Sequence, residues 1–371
     1  MKIVTKAIAL GCGVALTLTL AACGAGGNPA SVVKSAQKVQ TKSGLVINGE
    51  QIADKATYDK ARTQTLSLYS GYSAASEQVL VDAFTHDTGI KVDMVRLTPN
   101  KLVERVLSEQ GAGKLAADVI RTSDYRIAKS MEDAGVWKKY DVPSVSKFAA
   151  LSIDGGLFTR MFNSVYTIGY NTQLVKKADA PTSWADLVSG KWKGKIGIVQ
   201  GGSGGSTAAL NRFMLSKLGP DYLQKYASQK PVIYDSLGAE ATALARGEIA
   251  VGTVTISGTN ISATQDKAPV TFVVPTEGVV SYDYYLGLAS SVKNTAAAEV
   301  FMNYNFSKRG QKVFAQIGEY PARSDVAPPT ILGIKLPPVG SKLDYRMETT
   351  DTVKYSADDL KTWNTVFGYN K

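Results

Sequence analysis

Polar and apolar residues alternate along Thr65-Leu66-Ser67-Leu68-Tyr69, which predicts a strand, and Ser70-Gly71 closes it. Ser73 then stands where a helix cap belongs, and Val79, Leu80, Ala83 and Phe84 recur at helical spacing behind it. Gly89 stops that helix, and residues 90–95 read as the next strand. Leu102, Val103, Val106 and Leu107 mark a second helix, and residues 118–121 a third strand. The same succession returns over 195–199, 206–218, 239–246 and 249–256. Strands alternating with helices imply βαβ units around a largely parallel sheet, so the fold class is α/β. No repeat of the solenoid kind interrupts it.

The first residues follow a different logic. Lys2 and Lys6 precede an apolar run over residues 7–20, and the small residues Ala21 and Ala22 follow. This is the layout of a secretory signal over residues 1–22, and the run is short for a membrane span, which needs about 20 apolar residues. Leu20-Ala21-Ala22-Cys23 resembles a bacterial lipobox, in which the cysteine thiol is acylated and the chain is cut before it. Several acyl chains, palmitate among them, hold a protein stably on a membrane where one is marginal. Residues 23–43 are rich in Gly, Ala, Ser, Lys, Val and Gln and read as a flexible tether.

This changes the meaning of the two cysteines. Cys12 belongs to the signal and Cys23 to the anchor, so the exported domain contains neither disulfide nor thiolate and rests on its core. Hydrophobic content of 44% and charged content of 20% suit a globular chain, and 371 residues suit two lobes. The formal charge is +10, but the basic residues are scattered and no run of five occurs. Nucleic acid is therefore not expected as a partner; a weak attraction to a membrane surface or to an anionic solute is.

From about Gly44 onward the chain resembles the ferric-binding-protein-like group of ABC-importer substrate-binding proteins, a group that includes iron, phosphonate and thiamine types. The resemblance rests on Asn48-Gly49-Glu50-Gln51-Ile52-Ala53-Asp54, Leu68-Tyr69-Ser70-Gly71, residues 84–90 and Ala117-Asp118-Val119-Ile120. It continues through Ile168-Gly169-Tyr170-Asn171-Thr172, Pro181-Thr182-Ser183-Trp184, Trp192-Lys193-Gly194-Lys195-Ile196, Ala245-Arg246-Gly247-Glu248-Ile249, Trp363-Asn364 and Phe367-Gly368. It implies a two-lobed periplasmic-binding-protein fold of type II, with two crossing strands as the hinge, near 166–171 and 279–287. Lobe one would comprise 44–166 plus 284–371, including the Pro-rich stretch 328–338 and the tail from Tyr345, and lobe two 167–283. It further implies a monomer without cofactor, tied by its lipid to the outer face of the cell membrane, that hands a small solute to an ABC permease.

In such sheets ligands sit beyond the carboxyl ends of strands. That rule selects three loops: Ser70, Tyr72 and Ser73; Ser123 and Asp124; and Ser203, Gly204, Gly205, Ser206 and Thr207. Backbone N–H groups of the Gly-rich loop suit an oxyanion. The same loop reads Gly201-Gly202-Ser203-Gly204-Gly205, the pattern of a hydrolase nucleophile elbow. That chemistry needs a histidine base after the serine, and the sole histidine, His86, lies before it, so no enzyme is expected and a surface serine hydrolase is the remote alternative. Tyr166, Tyr282 and Tyr284 lie at the implied crossings, and Ser257 stands where ferric-binding members carry tyrosine. The nearer alternative, ferric iron held by tyrosines, loses support from that departure and from the alternation of Tyr284 and Tyr285 along a strand. No metal is assigned. Arg121, Arg160 and Arg212 are the candidate cations for an anion, and Asp124 is placed to receive an amine if the solute is a zwitterion such as an aminophosphonate.

Overall fold

The computed structural model describes residues 29–145, 151–328 and 330–369. The signal segment and Cys23 lie outside the described residues. Among these, no helix is long and apolar enough to cross a membrane.

Two long buried strands, Phe158–Asn171 and Val279–Ala289, run antiparallel through the middle of the molecule. They are longer than the crossings expected from sequence, and they register from Val280 opposite Tyr166 to Leu286 opposite Thr159, with a bulge after Tyr284. At one end the second crossing pairs with Val119–Ser123, which continues in parallel to Thr65–Ser70 and Lys91–Arg96. At the other end the first crossing pairs with Val251–Thr255 and Val270–Phe272. A parallel pair, Gly197–Val199 with Val232–Tyr234, extends that side through a bridge from Ile196 to Val251. The sheet is thus shared by two α/β lobes, each with helices packed on it, and the crossing strands are the only strands common to both among the described residues.

Local chemistry explains the βαβ units. Gly89 takes φ 73° and ends the helix Ala74–Thr88 with its N–H on Thr85, a conformation that costs glycine nothing. Gly247 does the same for Leu237–Arg246. Apolar side chains then bury on both sides of the sheet: Leu66, Leu68, Phe84 and Val119 in lobe one, Ile198, Phe213 and Val251 in lobe two.

Two expectations need correction. Residues 29–43 are not a free tether: Pro29–Val33 is a short helix, Val32 is buried, and Val39–Gln40 pairs with Gly44–Ile47. The carbonyl of Val32 accepts a bond from Arg309 at 3.0 Å, which docks the segment on lobe one. The second correction concerns the chain end. Tyr345 onward does not cover lobe one. Helix Thr349–Phe367 packs chiefly on the lobe-two helices Gly205–Lys217 and Tyr222–Ser228, and touches lobe one through Tyr125–Asp133. Ile331 and Leu336 of the Pro-rich stretch likewise bury against Val254, Ile256 and Phe272 of lobe two. The apolar positions of that helix give its buried face, but nothing local in them names the lobe they will meet.

Candidate functional site

Between the lobes lies a cavity of about 420 Å³. Its lobe-one wall comes from the carboxyl ends of the parallel strands. Thr65–Ser70 leads to Tyr72 and Ser73, Lys91–Arg96 leads to Arg96 itself, and Val119–Ser123 supplies Ser123. The turns there are locked together: Gly71 N–H donates to the carbonyl of Arg121 at 2.8 Å, and Leu97 N–H to that of Ser70 at 3.1 Å. Tyr282 and Tyr284 of the second crossing complete the wall, two residues apart and therefore on one face of the strand.

The lobe-two wall is made of hydroxyls. Ser203 and Ser206 come from the Gly-rich loop. Ser236 and Thr255 also line the space while capping helices: Ser236 accepts from Ala239 N–H at 3.2 Å and Thr255 from Gly258 N–H at 3.3 Å. Altogether five helices present their N-terminal residues to the cavity: Ala74–Thr88, Pro99–Gly111, Gly205–Lys217, Leu237–Arg246 and Ile256–Thr264. Each brings the positive end of its dipole.

Arg96 is the half-buried cation of this site; the other lining arginine, Arg246 of lobe two, is exposed and stands 3.8 Å from Glu248. Its Nε donates to the carbonyl of Tyr72 at 2.7 Å, and it joins no ion pair among the described residues. Burial draws its pKa below the ordinary value, against the pull of Tyr284 and Glu77. Glu77 is already engaged by Arg121 and by the Ser70 hydroxyl. Sequence reasoning missed Arg96, although it stands at the carboxyl end of a parallel strand, where the rule that chose the three loops applies equally.

The three arginines named from sequence are all neutralised elsewhere. Arg121 pairs with Glu77 in full burial, Arg160 with Asp283 at 2.7 Å, and Arg212 with Asp359 at 3.4 Å. Of the predicted contacts, Tyr72, Ser73, Ser123, Ser203, Ser206, Tyr282 and Tyr284 line the cavity. Seven others do not. Ser70 is buried and spent on Glu77 and on Tyr72 N–H. Asp124 turns to Arg126, at 2.6 Å, rather than to an amine in the cleft. Tyr166 bonds Thr253 at 2.9 Å in the interior, and Thr207 bonds the carbonyls of Gly201 and Gly204. Ser257 meets the Tyr72 hydroxyl at 3.2 Å beneath the floor. Gly204 and Gly205 serve a different purpose: they let the lobes meet. Gly205 N–H donates to Ser123 across the gap at 3.2 Å, and a Cβ there would stand 2.7 Å from the backbone of Asp124. At Gly204 it would stand 2.8 Å from Pro99.

Below the tyrosines, Glu319 ties the walls together. Its carboxylate accepts from Tyr72 of lobe one and from Ser164 of the first crossing, and Tyr72 also reaches Ser257 of lobe two. Burial pushes Glu319 up to about 7. Burial likewise holds the phenols of Tyr72, Tyr282 and Tyr284 well above their ordinary range, as neutral donors. Tyr285 faces away, among Tyr125 and Phe158. Among the described residues, no three His, Cys, Asp or Glu side chains gather as a metal site. His86 bonds its neighbour Asp87 at 2.9 Å and does not line the cavity.

Comparison with known proteins settles the family. A family model described as bacterial extracellular solute-binding protein matches residues 116–340, more than half of the chain. The chain belongs to that family. This solute-binding protein is 27% identical over 301 residues to spermidine/putrescine-binding periplasmic protein 1 of Haemophilus influenzae, covering 74% of this chain and 79% of the relative. It is 26% identical over 262 residues to a periplasmic protein of Salmonella typhimurium named for 2-aminoethylphosphonate binding, covering 68% and 75%. Its fold matches apo ferric ion-binding protein A of Pasteurella haemolytica, with a TM-score of 0.63 at 20% identity over 81% of this chain and 97% of that one. It also matches the periplasmic binding protein AfuA of Actinobacillus pleuropneumoniae, solved with fructose-6-phosphate, with a TM-score of 0.64 at 18% identity over 82% and 99%. The fold is the type II periplasmic-binding-protein fold, and the protein is a substrate-binding protein of the kind that serves ABC importers.

Proposed function

We propose that the cavity captures a small anionic or zwitterionic solute, organic or phosphorylated, and that the closed form delivers it to an ABC permease. The observation that carries this reading is Arg96, without a carboxylate partner, at the focus of five helix N-termini and a ring of hydroxyls. A polyamine calls for carboxylates, and Asp266 at the rim is the only acid lining this cavity among the described residues. Beside the tyrosines the lining carries no histidine among the described residues, and no carboxylate but the exposed Asp266, to complete a ferric ligand set. In this reading the protein catalyses nothing: Ser203 has no histidine beside it in the cavity. It acts as a monomer, held on the outer face of the cell membrane by acylation of Cys23.

Closure gains only what the ligand binds better in the closed than in the open state. Gly204 and Gly205 permit the approach of the lobes, and the hydroxyls of lobe two complete the ligand's shell. The test is thermal stability against phosphonates, sugar phosphates, spermidine and ferric citrate. A ligand at about 100 times its Kd adds about 2.7 kcal/mol. A shift with an organic anion that vanishes in Arg96→Met supports the reading. A shift with ferric citrate and a visible charge-transfer colour would replace it with the tyrosine alternative, and spermidine alone would replace it with a cation site. Ester hydrolysis lost in Ser203→Ala would overturn the non-enzymatic reading.

A further inference from the structure

On lobe one, away from the residues that line the cleft, a basin of about 650 Å³ is lined by Asn48, Glu50, Lys308, Arg309, Lys312 and Arg323. The N-terminal segment enters the fold at this basin. The Val32 carbonyl accepts from Arg309 at 3.0 Å, and Asn48 bonds Gln37 at 2.6 Å and the backbone N–H of Lys38 at 3.0 Å. The acids here are already engaged: Asp87 by Arg309 at 2.6 Å, Glu50 by Arg323 at 2.8 Å, and Asp325 by Arg323 at 2.9 Å and Lys308 at 3.5 Å. Lys34, Lys38 and Lys312 are exposed and join no ion pair among the described residues. Some exposed lysines elsewhere on lobe one are matched within a turn of helix, as in Lys55 with Asp59, Lys101 with Glu104 and Lys129 with Asp133; what sets this face apart is that its free cations flank the entry of the N-terminal segment.

We propose that this basic face of lobe one lies on the anionic headgroups of the membrane that holds the protein. The proposal rests on the anchor at Cys23. Five residues lie between Cys23 and Pro29, and the six steps of chain from one to the other span at most about 21 Å. An acylated chain therefore keeps this face near the bilayer. Headgroup charge acts only within about 8 Å at physiological salt, so contact needs cations that are not already neutralised, as Lys34, Lys38 and Lys312 are not. Each such cation raises occupancy of an anionic surface about fivefold. The consequence is orientation: lobe one is held down while the cleft and lobe two remain free to move.

The test uses the processed, acylated full-length chain in vesicles of phosphatidylcholine with or without phosphatidylglycerol. Lysines are labelled with a membrane-impermeant amine reagent and read by mass spectrometry. Labelling of Lys34, Lys38, Lys308 and Lys312 falls about fivefold in the anionic vesicles and recovers at high salt. Lys176, Lys177 and Lys193 on lobe two label alike in both. The double variant Lys308→Glu/Lys312→Glu loses the difference while its solute affinity and melting temperature stay put. Equal labelling of an acylated chain in the two vesicles overturns the proposal and leaves the anchor standing. Protection that appears only when the permease is added also overturns it, assigning the face to a protein. A chain found unacylated at Cys23 overturns both.

Discussion

The two walls of the cleft solve different problems. Lobe one supplies a cation and aromatic rings held in fixed places: Arg96 is pinned by the Tyr72 carbonyl at 2.7 Å, and Tyr72 packs edge-on against Tyr284 at 4.9 Å. Lobe two supplies serine and threonine hydroxyls at helix starts, among alanines such as Ala241 and Ala245, with no packed aromatic facing the ligand. A hydroxyl rotates to donate or accept, whereas a guanidinium only donates, in a fixed fork. The partly buried cation therefore stands on one side, and the charges of the other, Arg246 and Asp266, are exposed. The division also separates Arg96 from Arg121. Both stand level with Ser70 on parallel strands of one sheet, but Arg121 is sealed against Glu77, while Arg96 lines the cavity and joins no ion pair among the described residues.

Replacing the charged wall should have the largest effect. Arg96→Met is expected to weaken anion binding by about 3 kcal/mol, roughly a hundredfold, by calorimetry, with little change in melting temperature. Arg96→Lys should recover part of that, since the fork is lost but the charge is kept. Equal loss in both variants would mean that geometry, not charge, makes the wall.

Next comes the carboxyl beneath the floor. Glu319 titrates near 7 in the folded protein against an ordinary 4.5, and buried Glu240 in lobe two is pushed up to about 8. The folded state thus holds protons that the unfolded chain releases, so stability is greatest below about pH 4.5 as far as these groups decide, and falls as pH rises to about 8. Glu319→Gln should flatten the pH dependence of stability between about pH 4.5 and 7, by roughly 3 kcal/mol. An unchanged slope would remove Glu319 from the account.

A smaller effect is expected at the meeting of the walls. Gly205→Val places a side chain against Asp124 and should cost the closed state about 1–2 kcal/mol. Small-angle scattering should show incomplete compaction with ligand and an unaltered open form without it. Smallest is the hydroxyl wall: Ser203→Ala with Ser206→Ala should weaken binding by about 1 kcal/mol. If that pair matters more than Arg96, the division between the walls is wrong.

Much of this was legible in the sequence because strand and helix periods, and glycines such as Gly89, are local signals. The three loops chosen at strand ends did reach the cleft through Tyr72, Ser73, Ser123, Ser203 and Ser206. What failed was the sorting within them. Whether a hydroxyl faces the ligand depends on partners far along the chain: Ser257 is taken by Tyr72, 185 residues away, and Tyr166 by Thr253, 87 away. The arginines failed for the same reason, since each acid that claims one lies on another element. The destination of the tail was hidden because an amphipathic helix states that it has a face to bury, not where.

That tail governs when the binding site comes into being. Trp363 is fully buried, and a Cβ on Gly201 would stand 2.9 Å from its ring, so the last helix is the backing on which the Ser203–Ser206 wall rests. A chain emerging from its N-terminus can form lobe one's first βαβ units early. It cannot seat the second wall until Trp363 has arrived. Solute capture thus waits on the arrival of Trp363, and a chain stalled short of it carries an arginine without a cleft to close over it.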